Sequence, residues 1–495
     1  MHLKVQHRGG RDYLSIVQSY RDGKRTRTRT VETIGYADDY ADRYPDPIAH
    51  FRAHVEQLNA LRDEGAAVPL SFGREEQIGE GRQRSARLGS AVALGCLDAL
   101  GIAGFFNARR GRPDFPAQAG RVFEMLAAER MMHVASKRES WERRASFPRS
   151  CDFDYADVYA ALDCFSAQRE SICRAMAISY ERLGNAYDTS RIYLVVSAFP
   201  FAASGEIDTG EDGGAGRATA WIALALDGAS MPLSYYLYGE APDAASLARW
   251  AERARNDFGA GRVVVVAGRL AEAELAMRAL AARGHGFVLF EDVGASDDLR
   301  AWARDPDGYV DSRQGNFHMK ARAGRLPALG PALPEVPLKE VVLRSRGYAC
   351  VACSETNLSP GGIFNIYREL WRLAEPFQVM EADFAPVPYP VSHASHVRAH
   401  FVICYAAFFA LRMLRQHMGW AHNAAHVADA LLHMEGTCLQ ANWFLFTYRS
   451  PVTDDIERAC SIPVARRIRT PDDIRQSIGS TRRALRAEDL PAKKP

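Results

Sequence analysis

The chain has 495 residues, 47% of them hydrophobic, enough to bury the cores of two or three domains. Nine cysteines, an odd number without framework spacing, exclude a disulfide-stapled scaffold, and a formal charge of +2 says little by itself about partners. The longest apolar stretch, 400–420, is interrupted by Arg, His and Gln and falls short of the ~20 clean residues of a membrane span, so it reads as a buried helix.

In chain order, residues 1–47 form a basic N-terminal unit. Residues 12–36 alternate apolar and polar on both sides of Asp22-Gly23, a dipeptide that marks a tight hairpin. Alternation along the second strand puts Arg25, Arg27 and Arg29 on one face. Such a ladder suits a phosphate backbone, and it equally suits a solvated edge strand guarded by charge. A helical region is expected over 48–183, with basic connections "ARRGRPDF" and "ASKRESWERRASF" that include Lys137 and Arg138. These suit phosphate contacts at helix ends, or are ordinary solvated loops.

From 184 the pattern turns to strands. "AYDTSRIYLVVSAF" is a first strand, "RATAWIALALDGASMPLSYYLYG" is two more joined at Asp227-Gly228, and an amphipathic helix leads to the valine run of "RVVVVAGRL". A helix over 271–283 and the strand "GFVLFEDV" complete a mixed α/β order over 184–295. A β-rich segment fills 296–358. A long helix over 365–384 then carries Tyr367, Leu370, Ala374, Phe377 and Glu381 along one stripe. Cys350 and Cys353 lack the second pair that a zinc ribbon needs, and His393, His396 and His400 lack a partnering Cys or Glu; both sets read as structural. A basic tail, 451–495, closes the chain.

Taken together, "SYRDGKRTRTRTVETIG", "AAERMMHVASKRESWERR", "YDTSRIY", "MPLSYYLYG", "VVVVAGR", "YRELWRLAEPFQVMEADF" and "TCLQANWFLFTYRSPVTDDI" resemble, in order, the DDE transposases of bacterial insertion sequences. The group is the one whose ribonuclease-H-like core is interrupted by a β-rich insertion. The resemblance implies that core over 184–295 and 359–450, the insertion over 296–358, and a β-hairpin and helical DNA-binding region before them. It also implies a cytoplasmic, nucleoid-associated protein whose partner is double-stranded DNA, the terminal inverted repeats of its element. Whether it forms a homodimer on DNA stays open, and no membrane is involved.

Such enzymes hold Mg²⁺ on three carboxylates, the first Asp on the first strand, the second just after the fourth strand, and the Glu on the late helix. Carried over, these positions fall on Asp188, Gly268 and Ala374, so Asp188 alone keeps a ligand. Tyr367 also keeps its type. Glu375 adjoins Ala374, yet one helical residue turns a side chain by about 100°, and only a local shift or π-bulge would let it substitute. The expectation is a transposase impaired in this copy, or a transposase-derived DNA-binding protein that does not cut.

Overall fold

The computed structural model describes residues 2–8, 10–22, 25–41, 44–60, 84–202, 217–270, 272–294, 296–311, 318–328, 335–345, 347–371, 377, 393–439 and 442–486. The chain divides into two units, Met1–Gln83 with Cys438–Trp443, and Arg84–Thr437 with Phe444–Pro495.

In the first unit, strands β1 (His2–Arg8), β2 (Arg11–Asp22) and β3 (Arg25–Tyr36) pair antiparallel in that order. Asp22 pairs with Arg25, which leaves a two-residue connection, the tight hairpin expected at Asp22-Gly23. Sequence reading missed β1. It reaches β2 through Gly10, whose φ of +79° is a left-handed conformation that glycine adopts without strain. Leu14, Ile16 and Val17 on β2 are buried, and Arg11 ties the sheet to the following turn through Asp38 (2.8 Å) and Asp39 (2.7 Å). Helix α1 (Pro47–Ala60) follows.

The second unit opens with β4 (Ser85–Arg87), α2 (Leu88–Ala99), α3 (Ile102–Asn107), α4 (Ala119–Met132), α5 (Lys137–Glu142), α6 (Tyr155–Ala167) and α7 (Arg169–Arg182). Then come β5 (Arg191–Ala202), β6 (Arg217–Leu226), β7 (Pro232–Tyr238), α8 (Ala244–Phe258), β8 (Arg262–Arg269), α9 (Ala273–Ala281) and β9 (Gly286–Glu291). The segment read as β-rich holds α10 (Asp297–Arg304), β10 (Val310–Asp311), β11 (His318–Leu326), β12 (Val336–Arg344) and β13 (Tyr348–Cys353). The chain closes with α11 (Pro360–Trp371), α12 (His393–His417), α13 (Ala424–His433), β14 (Glu435–Cys438), β15 (Phe444–Phe446), α14 (Pro451–Cys460), β16 (Ile468–Arg469) and α15 (Pro471–Ala484).

Nine strands form one sheet in the order β10-β11-β12-β13-β9-β8-β5-β6-β7. β5, β8 and β9 run parallel, while β6 and β7 return antiparallel, so β5 to β9, numbered 1 to 5 in chain order, read 3-2-1-4-5 across the sheet. The later strands lengthen the same sheet, because β13 pairs antiparallel with β9. Alternation sorts the faces. Ile192, Leu194 and Val196 of β5 and Val263, Val265 and Ala267 of β8 meet Leu247, Ala251 and Ala254 of α8 and Met277 and Leu280 of α9. Val336 and Leu338 of β12 join that same core, while Leu299 and Ala303 of α10 pack with Val342 of β12 and Cys350 of β13 in a smaller cluster of their own. On α10, Trp302 is covered by the Arg322 guanidinium at 4.4 Å.

Helix α12 is the apolar stretch near 400–420. By length and composition its Ser395–His417 part could cross a membrane, but 94% of that apolar window is buried inside the protein. It packs against α2, α4, α6 and α7. Between β4 and α4, Arg87 and Glu129 pair at 2.6 Å with both side chains 1% exposed; each ion replaces the other's lost water.

Candidate active site and nucleic-acid interface

The parallel register of β5 and β8 sets out the candidate site. Arg191 lies beside Arg262 and Val196 beside Ala267, and one further step of that register sets Ser197, midway along β5, level with Gly268 near the carboxyl end of β8. Both follow the alternation away from α8 and α9, onto the face where α11 packs against β5, β8 and β9. Gly268 is the extra residue of a bulge: Ala267 pairs with Leu289 and Arg269 with Phe290, and nothing pairs between them. On the same face, Phe377 is 2% exposed and packs on Phe199 and Phe408, at 6.3 and 5.8 Å between ring centres. Tyr367 on α11 is partly buried, and burial raises its hydroxyl above the ordinary value. Ala374 and Glu375 lie outside the described residues.

Asp188 is elsewhere. It precedes the first residue of β5 by three positions, at the amino end of the strand, while Gly268 is at the carboxyl end of β8. Six strand residues at about 3.3 Å each separate the two levels, roughly 20 Å, and paired metal ions lie about 4 Å apart, so the two positions share no metal. Asp188 has a local task instead. Its carboxylate accepts from the Ser190 backbone N–H at 3.1 Å, and its own N–H donates to Asp227 at 3.0 Å. A methyl group added at Gly228 would run into the Asp188 carboxylate, so the turn packs closely on that side chain.

Asp227, read from the sequence only as half of a turn dipeptide, is fully buried in the β6–β7 turn. It accepts three backbone N–H groups, from Asp188, Ala229 (2.9 Å) and Met231 (2.7 Å). Burial raises its pKa, and the three backbone donors work against that rise. At the same end of the sheet, Glu355 is 7% exposed and bound by Arg262 (2.7 Å) and Arg191 (3.4 Å).

Ser197 is the residue that strand phase brings to the level of Gly268. The clue in the sequence was a parallel: "IYLVV" before Ser197 and "VVVVA" before Gly268 are equivalent apolar runs ending at the same edge. Among the described residues, no group of three His, Cys, Asp or Glu side chains could hold a metal ion. Cys350 and Cys353 lie on strand β13, where a spacing of three sends side chains to opposite faces. Both are buried, and burial pushes Cys353 up to about 11, leaving inert thiols.

For nucleic acid, β3 keeps regular pairing from Arg25 to Arg29, with Asp22, Tyr20 and Gln18 opposite Arg25, Arg27 and Arg29. The backbone therefore puts the three arginines on one face; their side chains lie outside the described residues. The other two candidates part company. Lys137 is buried at 5% exposure and does not offer a surface ammonium, whereas Arg138 is exposed and pairs with Glu142 one turn on at 3.0 Å.

Residues 3–68 are similar to the N-terminal domain of an insertion-sequence transposase, and this supports a transposase of that class. The matching model is that of the IS1634 family transposase, N-terminal domain, and those residues take in β2, β3, α1 and all of β1 except His2. No curated protein matches the chain.

Proposed function

We propose that the chain is an insertion-sequence transposase that binds double-stranded DNA at the terminal inverted repeats of its element for cut-and-paste transposition, and that this copy is catalytically impaired. The transposase class rests on the match over residues 3–68. Support for a ribonuclease-H-like core comes from the 3-2-1-4-5 strand order and from a helix, α11, that follows the added strands and packs on β5 and β8. The observation that carries the impairment is the pair Ser197 and Gly268: the register of adjacent parallel strands sets these two level, and neither brings a carboxylate.

Magnesium takes hard oxygen ligands, usually carboxylates with substrate phosphates. A neutral hydroxyl beside a glycine does not fit it. What the chain retains for DNA is the strand bearing Arg25, Arg27 and Arg29, which can neutralise phosphates and release counterions. The same observations support a second reading, a transposase-derived DNA-binding protein kept for its sites without cutting them.

The test uses full-length protein, labelled DNA from both flanks of its own gene, and Mg²⁺ or Mn²⁺. Specific binding that weakens steeply with salt, without nicking, is the expected result. Metal-dependent nicking overturns the impairment, and a flat salt dependence overturns the basic strand as the interface. Excision of the element in cells separates the two readings, and light scattering with and without DNA tests for a homodimer.

A further inference from the structure

Four tyrosines in the second unit end in buried hydroxyls that reach no protein donor or acceptor among the described residues: Tyr187 before β5, Tyr235 on β7, Tyr405 on α12, and Tyr238, which stands apart from the others, stacked on Trp250 of α8 at 3.7 Å. Tyr405 is 0% and Tyr235 3% exposed, and their rings lie 5.3 Å apart. Neighbouring phenols are satisfied. Tyr180, 5.1 Å from Tyr187 ring to ring, donates to Gln416 at 3.1 Å, and Tyr236 donates to Asp257 at 2.6 Å. A phenol buried without a partner forfeits a hydrogen bond it would keep in water, and native interiors rarely leave several such groups together.

We propose that Tyr187, Tyr235 and Tyr405 line an internal water-binding site between the loop preceding β5, strand β7 and helix α12. Each phenol both donates and accepts, so the occupant must do the same. Burial and the nearby Asp227 and Glu181 carboxylates raise the Tyr187 hydroxyl above its ordinary value, so these surroundings disfavour an anion. A cation is already present beside the site, disfavouring a second: Arg169 stacks over the Tyr235 ring at 5.6 Å and is paired with Glu170 at 2.9 Å. Its size is bounded by rings, with Phe409 5.4 Å from Tyr180 and 6.0 Å from Tyr405. Water meets all three conditions, and buried waters characteristically bridge two to four polar groups of this kind. Burial raises the Tyr235 and Tyr405 hydroxyls well above their ordinary value, so they stay protonated and able to donate.

The sign of a conservative substitution decides the matter. Tyr→Phe removes only the hydroxyl: if it binds water the protein loses stability, and if it is orphaned the protein gains. Tyr235→Phe and Tyr405→Phe in the full chain are each expected to lower Tm by about 1 °C, with the double variant losing less than the sum because one water serves both. A crystal structure is expected to place density within hydrogen-bonding distance of Tyr405 Oη. A Tm that rises or holds in either variant, strict additivity, or a dry site in the crystal overturns the proposal.

Discussion

The two ends of strands β5 and β8 carry opposite chemistry. Asp188, Asp227, Arg191, Arg262 and Glu355 crowd the amino end, each committed to a turn or an ion pair. Ser197, midway along β5, and Gly268, near the carboxyl end of β8, stand toward the other end, and the aromatic packing of Phe199 on Phe377 lies on the same face. In open α/β sheets it is the carboxyl end where side chains leave the core and meet ligands. Carboxylates are therefore abundant in this sheet, but at the end where they serve architecture. A count of acidic residues near a strand says little until their phase and end are known.

Substitutions break or sharpen that contrast, starting with the most damaging. Asp227→Ala removes the acceptor of three buried N–H groups, and a loss of about 3 kcal/mol is expected in chemical denaturation. If Asp227 proves dispensable, the amino end is not structural. Glu355→Gln leaves Arg191 and Arg262 without their anion at partly exposed positions, with an expected loss of about 2 kcal/mol. Asp188→Ala is expected to cost about 1 kcal/mol and to leave DNA affinity and any metal-dependent nicking unchanged. A selective loss of nicking in that variant would restore Asp188 to the chemistry.

The pH dependence sharpens the same point. Asp227 has its carboxyl raised above 3.8, so between the unfolded and folded values the native chain binds more protons than the unfolded one. This contribution to stability is present below 3.8 and is lost as pH rises through the folded value. Asp227→Asn should flatten that part of the profile, read as the difference between the two proteins in denaturant midpoints at each pH. The smallest energetic effect belongs to the carboxyl end. Ser197→Asp with Gly268→Asp is expected to create a weak, saturable Mn²⁺ site, with a Kd on the order of millimolar by titration, whereas Gly268→Asp with native Asp188 creates none.

Much of the fold was legible because it rests on period and punctuation. The valine run, the Asp227-Gly228 turn and the buried character of 400–420 all come directly from side-chain alternation and turn chemistry. The site was less legible for a physical reason: "YDTSRIY" contains the expected letters, but the strand begins after them, and strand register is a pairing property that one sequence does not display. Burial of Lys137 was hidden similarly, since a basic stretch reads as surface until its neighbours are known. β1 escaped because His2–Arg8 is mostly exposed on both faces and shows little alternation.

The position of α12 has a consequence for how the chain is made. The trough formed by α2, α4, α6 and α7 is filled by a helix encoded some two hundred residues later, beyond the whole sheet. At about 5–20 residues per second, a ribosome leaves that trough open for on the order of ten seconds or longer, offering an apolar surface to chaperones or to sister chains. Messages or reading frames that stop before His393 would release a product unable to close its own helical layer, so truncation should yield aggregates and not a soluble DNA-binding fragment.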